Sequence, residues 1–194
     1  MQTERFEALI DAILAIIITI IVMEIPLPAT PTLTSLLELL PDFIAYTLSF
    51  IICFNLWNYH HTLFDIVNKL DSTITWTSAI SMMIIGLLPH ATTMLATNMN
   101  SFTAQAMFGL IFFLTNINFY IVDQLLIRKD PANIALRLKL KNTKQNMIFT
   151  TILYTIGYII GYLYYPPAIM ITCILSIILS FLPQKTKNKI KLPL

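Results

Sequence analysis

Residues 5–26 read RFEALIDAILAIIITIIVMEIP. The run is long enough to cross a bilayer, which takes about 20 apolar residues, and it carries an ionisable group, Asp11, within its first half. At 100° per residue, Ile16, Ile20 and Met23 fall within about 40° of a common line, with Thr19 at its margin. Glu4, Glu7 and Asp11 gather on a separate side. One face is a ladder of apolar side chains; the other must find polar partners in protein. That division predicts a helix that lines something rather than one that only anchors.

The remainder of the chain is of the same kind. Its 194 residues are 57% hydrophobic and only 11% charged, with a mean hydropathy of +0.75. Soluble domains carry roughly 25% charged residues, so a soluble domain is excluded. The expectation is an all-α integral membrane protein of six transmembrane helices, one repeat forming a single domain over residues 1–194. The spans read as 7–25, 42–64, 73–94 with an interruption at Pro89, 102–127, 146–165 and 167–182. Pro166 and Pro167 force a tight connection that makes the last two antiparallel neighbours. Cys53 and Cys173 lie far apart inside apolar runs and read as small buried hydrophobes rather than a disulfide or a metal pair. The first run lacks the charged leader and small-residue cleavage site of a signal peptide.

Charge sorts the loops. The 12 basic residues sit at Arg5, at Lys69, between Arg128 and Lys144, and in a tail over 184–194. With six spans all of these fall on one side, which the positive-inside rule makes cytoplasmic. Both termini are therefore expected inside, in a multi-pass protein of the plasma membrane. The outer side carries Glu24, Glu38 and Asp42 without a counter-charge. These acids read either as tolerated loop residues or, with Glu24 at an outer mouth, as a vestibule that concentrates cations. The segment RKDPANIALRLKLKNTKQ over 128–145 reads first as topology signal and second as an amphipathic helix for anionic lipid.

Several motifs have plainer readings than their first impression. Thr155-Ile156-Gly157-Tyr158 looks like most of a potassium-filter sequence, but Ile159 stands where a second glycine is needed. Gly157 and Gly161 instead make a small-xxx-small packing face. The second span ends Phe54-Asn55-Leu56-Trp57-Asn58-Tyr59-His60-His61. Adjacent histidines point about 100° apart on a helix, so they make a poor metal pair, and no metal site is expected. The preferred partner for a buried Asp11 carboxylate is one of His60, His61, Asn55 or Asn58. His90 reads as an interface residue. Asn116, Asn118 and Asp123 read as interhelical hydrogen-bonding groups. No nucleophile triad, phosphate loop or HExxH motif occurs, so neither an enzyme nor a cofactor is expected, and the basic tail gives no case for nucleic acid.

These residues carry a resemblance. Arg5-x-x-x-Leu9-Ile10-Asp11 resembles the R-x-x-x-F-S-D signature of the transmembrane protein 175 family of lysosomal potassium channels and their prokaryotic relatives, with Leu9 and Ile10 in place of Phe and Ser. The continuation over residues 12–19, Trp57 with His60-His61, and Leu87-Leu88-Pro89 are similar as well. The resemblance covers spans one to four, and the last two by topology. It implies that first helices from several subunits surround the axis, with no carbonyl filter. The large apolar residue five positions after the aspartate, here Ile16, forms the narrowest constriction, with Ile20 and Met23 on the same line. Thr19 matches a hydroxyl position tied to selectivity. One six-helix repeat per chain implies a homotetramer.

The function expected on that basis is a potassium-selective cation channel, with K+ and other monovalent cations as permeants and the lipid bilayer as its surroundings. An apolar ring resists wetting and closes without a plug; once widened, it holds water and passes a partly hydrated cation. Arg5 and Asp11 lie about 120° apart on one helix, so Arg5 is expected to reach another helix or subunit. The alternative is a proton- or ion-coupled transporter titrating Asp11, Glu24 or a histidine. Electrogenic, coupled or absent flux in liposomes separates these readings and a non-conducting scaffold.

Overall fold

In a computed structural model the chain is all-helical. The structure describes residues 3–67 and 71–181; Lys69 and the basic tail over 184–194 lie outside them. The described residues form α1 (Thr3–Met23), α2 (Leu33–Glu38), α3 (Leu40–Phe64), α4 (Ser72–Ile85), α5 (Leu88–Thr97), α6 (Phe102–Lys129), α7 (Ile134–Lys139), α8 (Thr143–Leu163) and α9 (Ala168–Phe181). Among the described residues, five helical stretches are long and apolar enough to cross a membrane: α1, α3, α4 with α5, α6, and α7 with α8. The sixth, α9, is an apolar helix with 14 described residues. The chain is a multi-pass membrane protein.

The third stretch is split in two. Pro89 has no N–H and its ring excludes the carbonyl four residues back, that of Ile85. The helix closes there with Gly86 N–H on the Met82 carbonyl at 2.9 Å and Leu87 N–H on Ile84 at 3.1 Å. The break is packed: Leu88 and Pro89 are buried, and His90 beside them is exposed. α5 then leaves α4 and packs against α1 and α3.

α6 is the hub. It packs along α4 and α5 on one side and α8 and α9 on the other, while α1 is held mainly by α3 and α5, with a short contact to α4. Lipid tails are as apolar as leucine, so helices in a bilayer associate through close packing and interhelical hydrogen bonds rather than through apolar burial alone. Ser49 Oγ donates to Thr92 Oγ1 at 2.7 Å between α3 and α5, because the Thr92 hydrogen is used on the Leu88 carbonyl. Ser81 Oγ donates to Asn118 between α4 and α6. Gln105 Nε2 donates to the Met99 carbonyl at 2.6 Å, and its Oε1 accepts from Met170 N at 3.3 Å, which ties α9 to the start of α6.

Thr155-Ile156-Gly157-Tyr158 lies inside α8. Gly157 is there for close approach: a Cβ at this position would stand 2.6 Å from both Cγ2 and Oγ1 of Thr172 on α9. Thr172 is β-branched and stiff at χ1, and its hydroxyl donates to the Ile169 carbonyl at 2.7 Å, so it cannot swing aside cheaply. Gly157→Val gains less than about 1 kcal/mol of helix propensity, which does not offset an overpacking cost of about 1–3 kcal/mol. The expected result is a lower thermal midpoint in detergent, and an unchanged midpoint would mean that α8 and α9 meet elsewhere.

On the side of the basic loops, Lys129 Nζ donates to Asp71, the N-cap of α4, which also accepts from Ile74 N at 3.0 Å. The Lys129 ammonium, with the capping N–H, holds the Asp71 carboxyl below the usual carboxylate range. Depression of a carboxyl pKa means that its contribution is present above about pH 4 and fades as the pH falls through the folded value. The tie is therefore formed at neutral pH.

Candidate functional site

Phe6, Ile10, Leu14, Ile17 and Ile21 are the buried side of α1. Their spacing is that of one helix stripe, and α3 and α5 cover it. The opposite side is covered by nothing in the protomer. Ile16, Ile20 and Met23 are 60%, 42% and 79% exposed. They lie to one side of a row of small residues, Ala8, Ala12, Ala15 and Thr19, all exposed. On an ideal helix Thr19 stands about 180° from the centre of the buried stripe, and Ile16 about 120°. The free face thus has two parts, a shallow small-residue strip and a ridge of large apolar side chains beside it.

Thr19 Oγ1 donates to the Ala15 carbonyl at 2.8 Å. With its only hydrogen spent on its own helix, the hydroxyl presents lone pairs to the outside. That suits a cation better than an anion.

α1 is fastened at both ends by carboxylates. Near its start, His61 Nδ1–H donates to Glu7 Oε1 at 2.9 Å, with the imidazole stacked on Trp57 at 5.2 Å. Near its other end, Thr93 Oγ1 donates to Glu24 Oε2 at 2.9 Å, so the Glu24 assigned to an outer mouth is also the tie to α5. Asp42 sits in the first turn of α3, where the helix dipole favours a negative charge, and Glu38 is exposed at the end of α2.

The polar network differs from the expected one. Asp11 was expected to bind His60, His61, Asn55 or Asn58; it is exposed and hydrogen-bonds none of them, its charge reaches His61 from nearby, and the histidine's hydrogen bond goes to Glu7. The reason is angular. Glu7 lies about 60° from the centre of the buried stripe and Asp11 about 100°, so Glu7 faces α3 across the seam and Asp11 faces out. His60 points elsewhere: its Nδ1–H donates to the Leu56 carbonyl at 3.1 Å, and the buried ring packs edge-on to Phe119 of α6. Among the described residues, Asn55 and Asn58 make no side-chain hydrogen bond to α1, and Arg5 is exposed without an ion pair.

The buried carboxylate with a partner is Asp123, on α6. It accepts from the Tyr59 hydroxyl of α3. Tyr59 stacks on Phe119 with ring centroids 4.2 Å apart. Asp123 is legible as an interhelical group; that Tyr59 is its partner depends on the crossing of α3 over α6, which no spacing in either segment encodes.

Fold and site together define a multi-pass helical membrane protein whose first helix is pinned at both ends and left bare along one face. Residues 5–89, from α1 into α5, match the family described as Endosomal/lysosomal potassium channel TMEM175. A potassium channel of a Chryseobacterium species is 32% identical over 164 residues, covering 84% of this chain and 85% of that protein. A potassium channel of Chamaesiphon minutus is 32% identical over 101 residues, covering 49% and 50%. The crystal structure of a lysosomal potassium-selective channel TMEM175 homolog from Chamaesiphon minutus shares the fold, with a TM-score of 0.76 over 92% of this chain and 96% of that one at 24% identity. The chain belongs to the TMEM175 family, a family of channels and not of enzymes.

Proposed function

We propose that the protein conducts K+ through an axial pore lined by α1 of four copies, with Ile16 as its constriction, Ile20 and Met23 continuing the lining, and Thr19 setting preference among monovalent cations. The observation that carries this is the bare face of α1. A helix buried on one stripe only, with a small-residue strip beside an exposed aliphatic ridge, is incomplete as a protomer. Small residues let neighbouring backbones approach closely, and the ridge beside them then turns to the axis. A single such helix cannot enclose a pore, and four copies can. Asp11 and Arg5, both exposed and both beside the strip, take their partners from the adjoining copy. The basic loops face the cytoplasm, both termini lie inside, and the host is the plasma membrane.

The test is ion flux from purified protein in liposomes. Electrogenic K+ flux without a coupled ion is the expected result. Obligate coupling to protons would favour the transporter alternative with Asp11, Glu24 or His61 as its titrating group, and no flux would make the protein a scaffold. Thr19→Ala removes the outward oxygen while leaving the apolar ridge whole. It is expected to lower the preference for K+ over Na+, read from bi-ionic reversal potentials, with little change in basal closure. An unchanged preference would move selectivity to another level of the pore.

A further inference from the structure

The connection between α6 and α8 exposes more apolar surface than a connection needs. α7 is seated by one side: Leu136 is fully buried and Leu140 nearly so. Asn133, its N-cap, donates to the Ile66 carbonyl at 3.1 Å and so fixes the corner to the end of α3. Ile134 and Leu138 fall about 160–200° round the helix from Leu136 and are 72% and 53% exposed. Two large aliphatic side chains one turn apart, directed away from the core, are uncovered in the protomer. Arg137 lies on one flank of this pair and Lys139 on the other, with Lys141 in the turn just after the helix, all exposed. Among the described residues none of these three makes an ion pair, whereas Lys129 is taken by Asp71. The only acid between residues 128 and 144 is Asp130.

We propose that α7 is an interfacial helix that docks on anionic phospholipid headgroups of the leaflet on its own side. Ile134 and Leu138 sink to the level of the acyl-chain boundary, and Arg137, Lys139 and Lys141 meet the phosphates. Charge sorting accounts for the basic residues but not for the aliphatic pair between them. A ridge of apolar residues flanked by Lys and Arg is the pattern of a helix lying in the membrane interface. The tether lengths support this as well. Four residues, 130–133, separate α7 from α6, and three, 140–142, separate it from α8. α7 therefore stays within a few residues of two membrane helices. The proposal stands whether or not the pore is as described above.

Cys53 and Cys173 are both fully buried, so one cysteine introduced as Ile134→Cys or Leu138→Cys takes a fluorophore selectively in the full-length protein. The labelled channel is reconstituted in vesicles of phosphatidylcholine and phosphatidylglycerol, with bromines near the top of the acyl chains of one lipid or the other. Both labels are expected to be quenched. Bromines carried by phosphatidylglycerol should quench with a preference of about fivefold for each charge engaged. Combining Arg137→Gln, Lys139→Gln and Lys141→Gln should bring the two lipids to parity. The use of two label positions keeps the test alive if one variant fails to fold. Quenching by aqueous iodide but not by brominated lipid would overturn the proposal in favour of a water-facing or protein-facing helix. Quenching by neither would mean that a second copy covers the face, and equal quenching by the two lipids would remove the anionic headgroup as the partner.

Discussion

Ile16→Asn is expected to raise basal K+ flux through the reconstituted protein by about tenfold or more. A ring of isoleucine side chains at a fourfold axis excludes water by shape and by apolarity together, so the closed pore needs no charged plug. Asparagine keeps a comparable reach and supplies an amide that holds water in the constriction. Folding should not suffer, because Ile16 is exposed in the protomer and makes no core contact there. The control lies one residue away. Ile17 is buried against the bundle, and Ile17→Val should cost about 0.5–1.5 kcal/mol of stability while leaving flux at the wild-type level. Equal flux from wild type and Ile16→Asn, at equal protein yield, would shift the constriction to Ile20 or Met23.

The second large effect is on assembly. Ala12 stands near the middle of the small-residue strip, exposed, with Ala8 and Thr19 along the same side. Ala12→Phe adds a bulky ring where neighbouring α1 helices approach in the proposed assembly, at a position exposed in the protomer. Mass measured in detergent or nanodiscs should fall from that of a tetramer to that of the protomer, with flux lost and the thermal midpoint of the protomer little changed. A tetramer that survives Ala12→Phe would place the subunit contact on another face, and a wild-type monomer that conducts would remove the axial pore altogether.

What could be read from the chain alone follows from where the information resides. The ridge of Ile16, Ile20 and Met23 is a property of one helix, and periodicity within α1 expresses it completely. The break near Pro89 is equally local, since proline acts on its own four preceding residues. The partner of Asp11 is a different matter. Which carboxylate meets His61 is decided by the angle at which α3 crosses α1, and Glu7 and Asp11 differ by only about 40° on their helix. Glu7 was identifiable on the acidic side of α1, but its proximity to the seam shows only once Phe6, Ile10 and Leu14 are known to be the buried stripe. The short helices were partly marked. Thr32 caps α2 by accepting from Ser35 N at 3.3 Å, and Asn133 caps α7 by accepting from Leu136 N at 3.0 Å; both are ordinary N-cap residues. α7 falls in a segment whose second reading is an amphipathic helix, while α2 lies in a stretch assigned to no span. The pairing of Tyr59 with Asp123, like that of Ser81 with Asn118, is interhelical and lies beyond the reach of either segment read by itself.

Ile16→Cys tests the axial constriction most directly. Cys53 and Cys173 are both buried, so the introduced thiol is the reactive one. If α1 helices of several copies meet at this level, their thiolates converge and bind Cd2+ together, because soft sulfur ligands favour such an ion. K+ flux from vesicles bearing Ile16→Cys should then fall to the protein-free level on addition of Cd2+ and return with a chelator, with wild type unaffected. Flux through Ile16→Cys that continues unchanged in Cd2+ would contradict the placement of Ile16 at the axis of the pore.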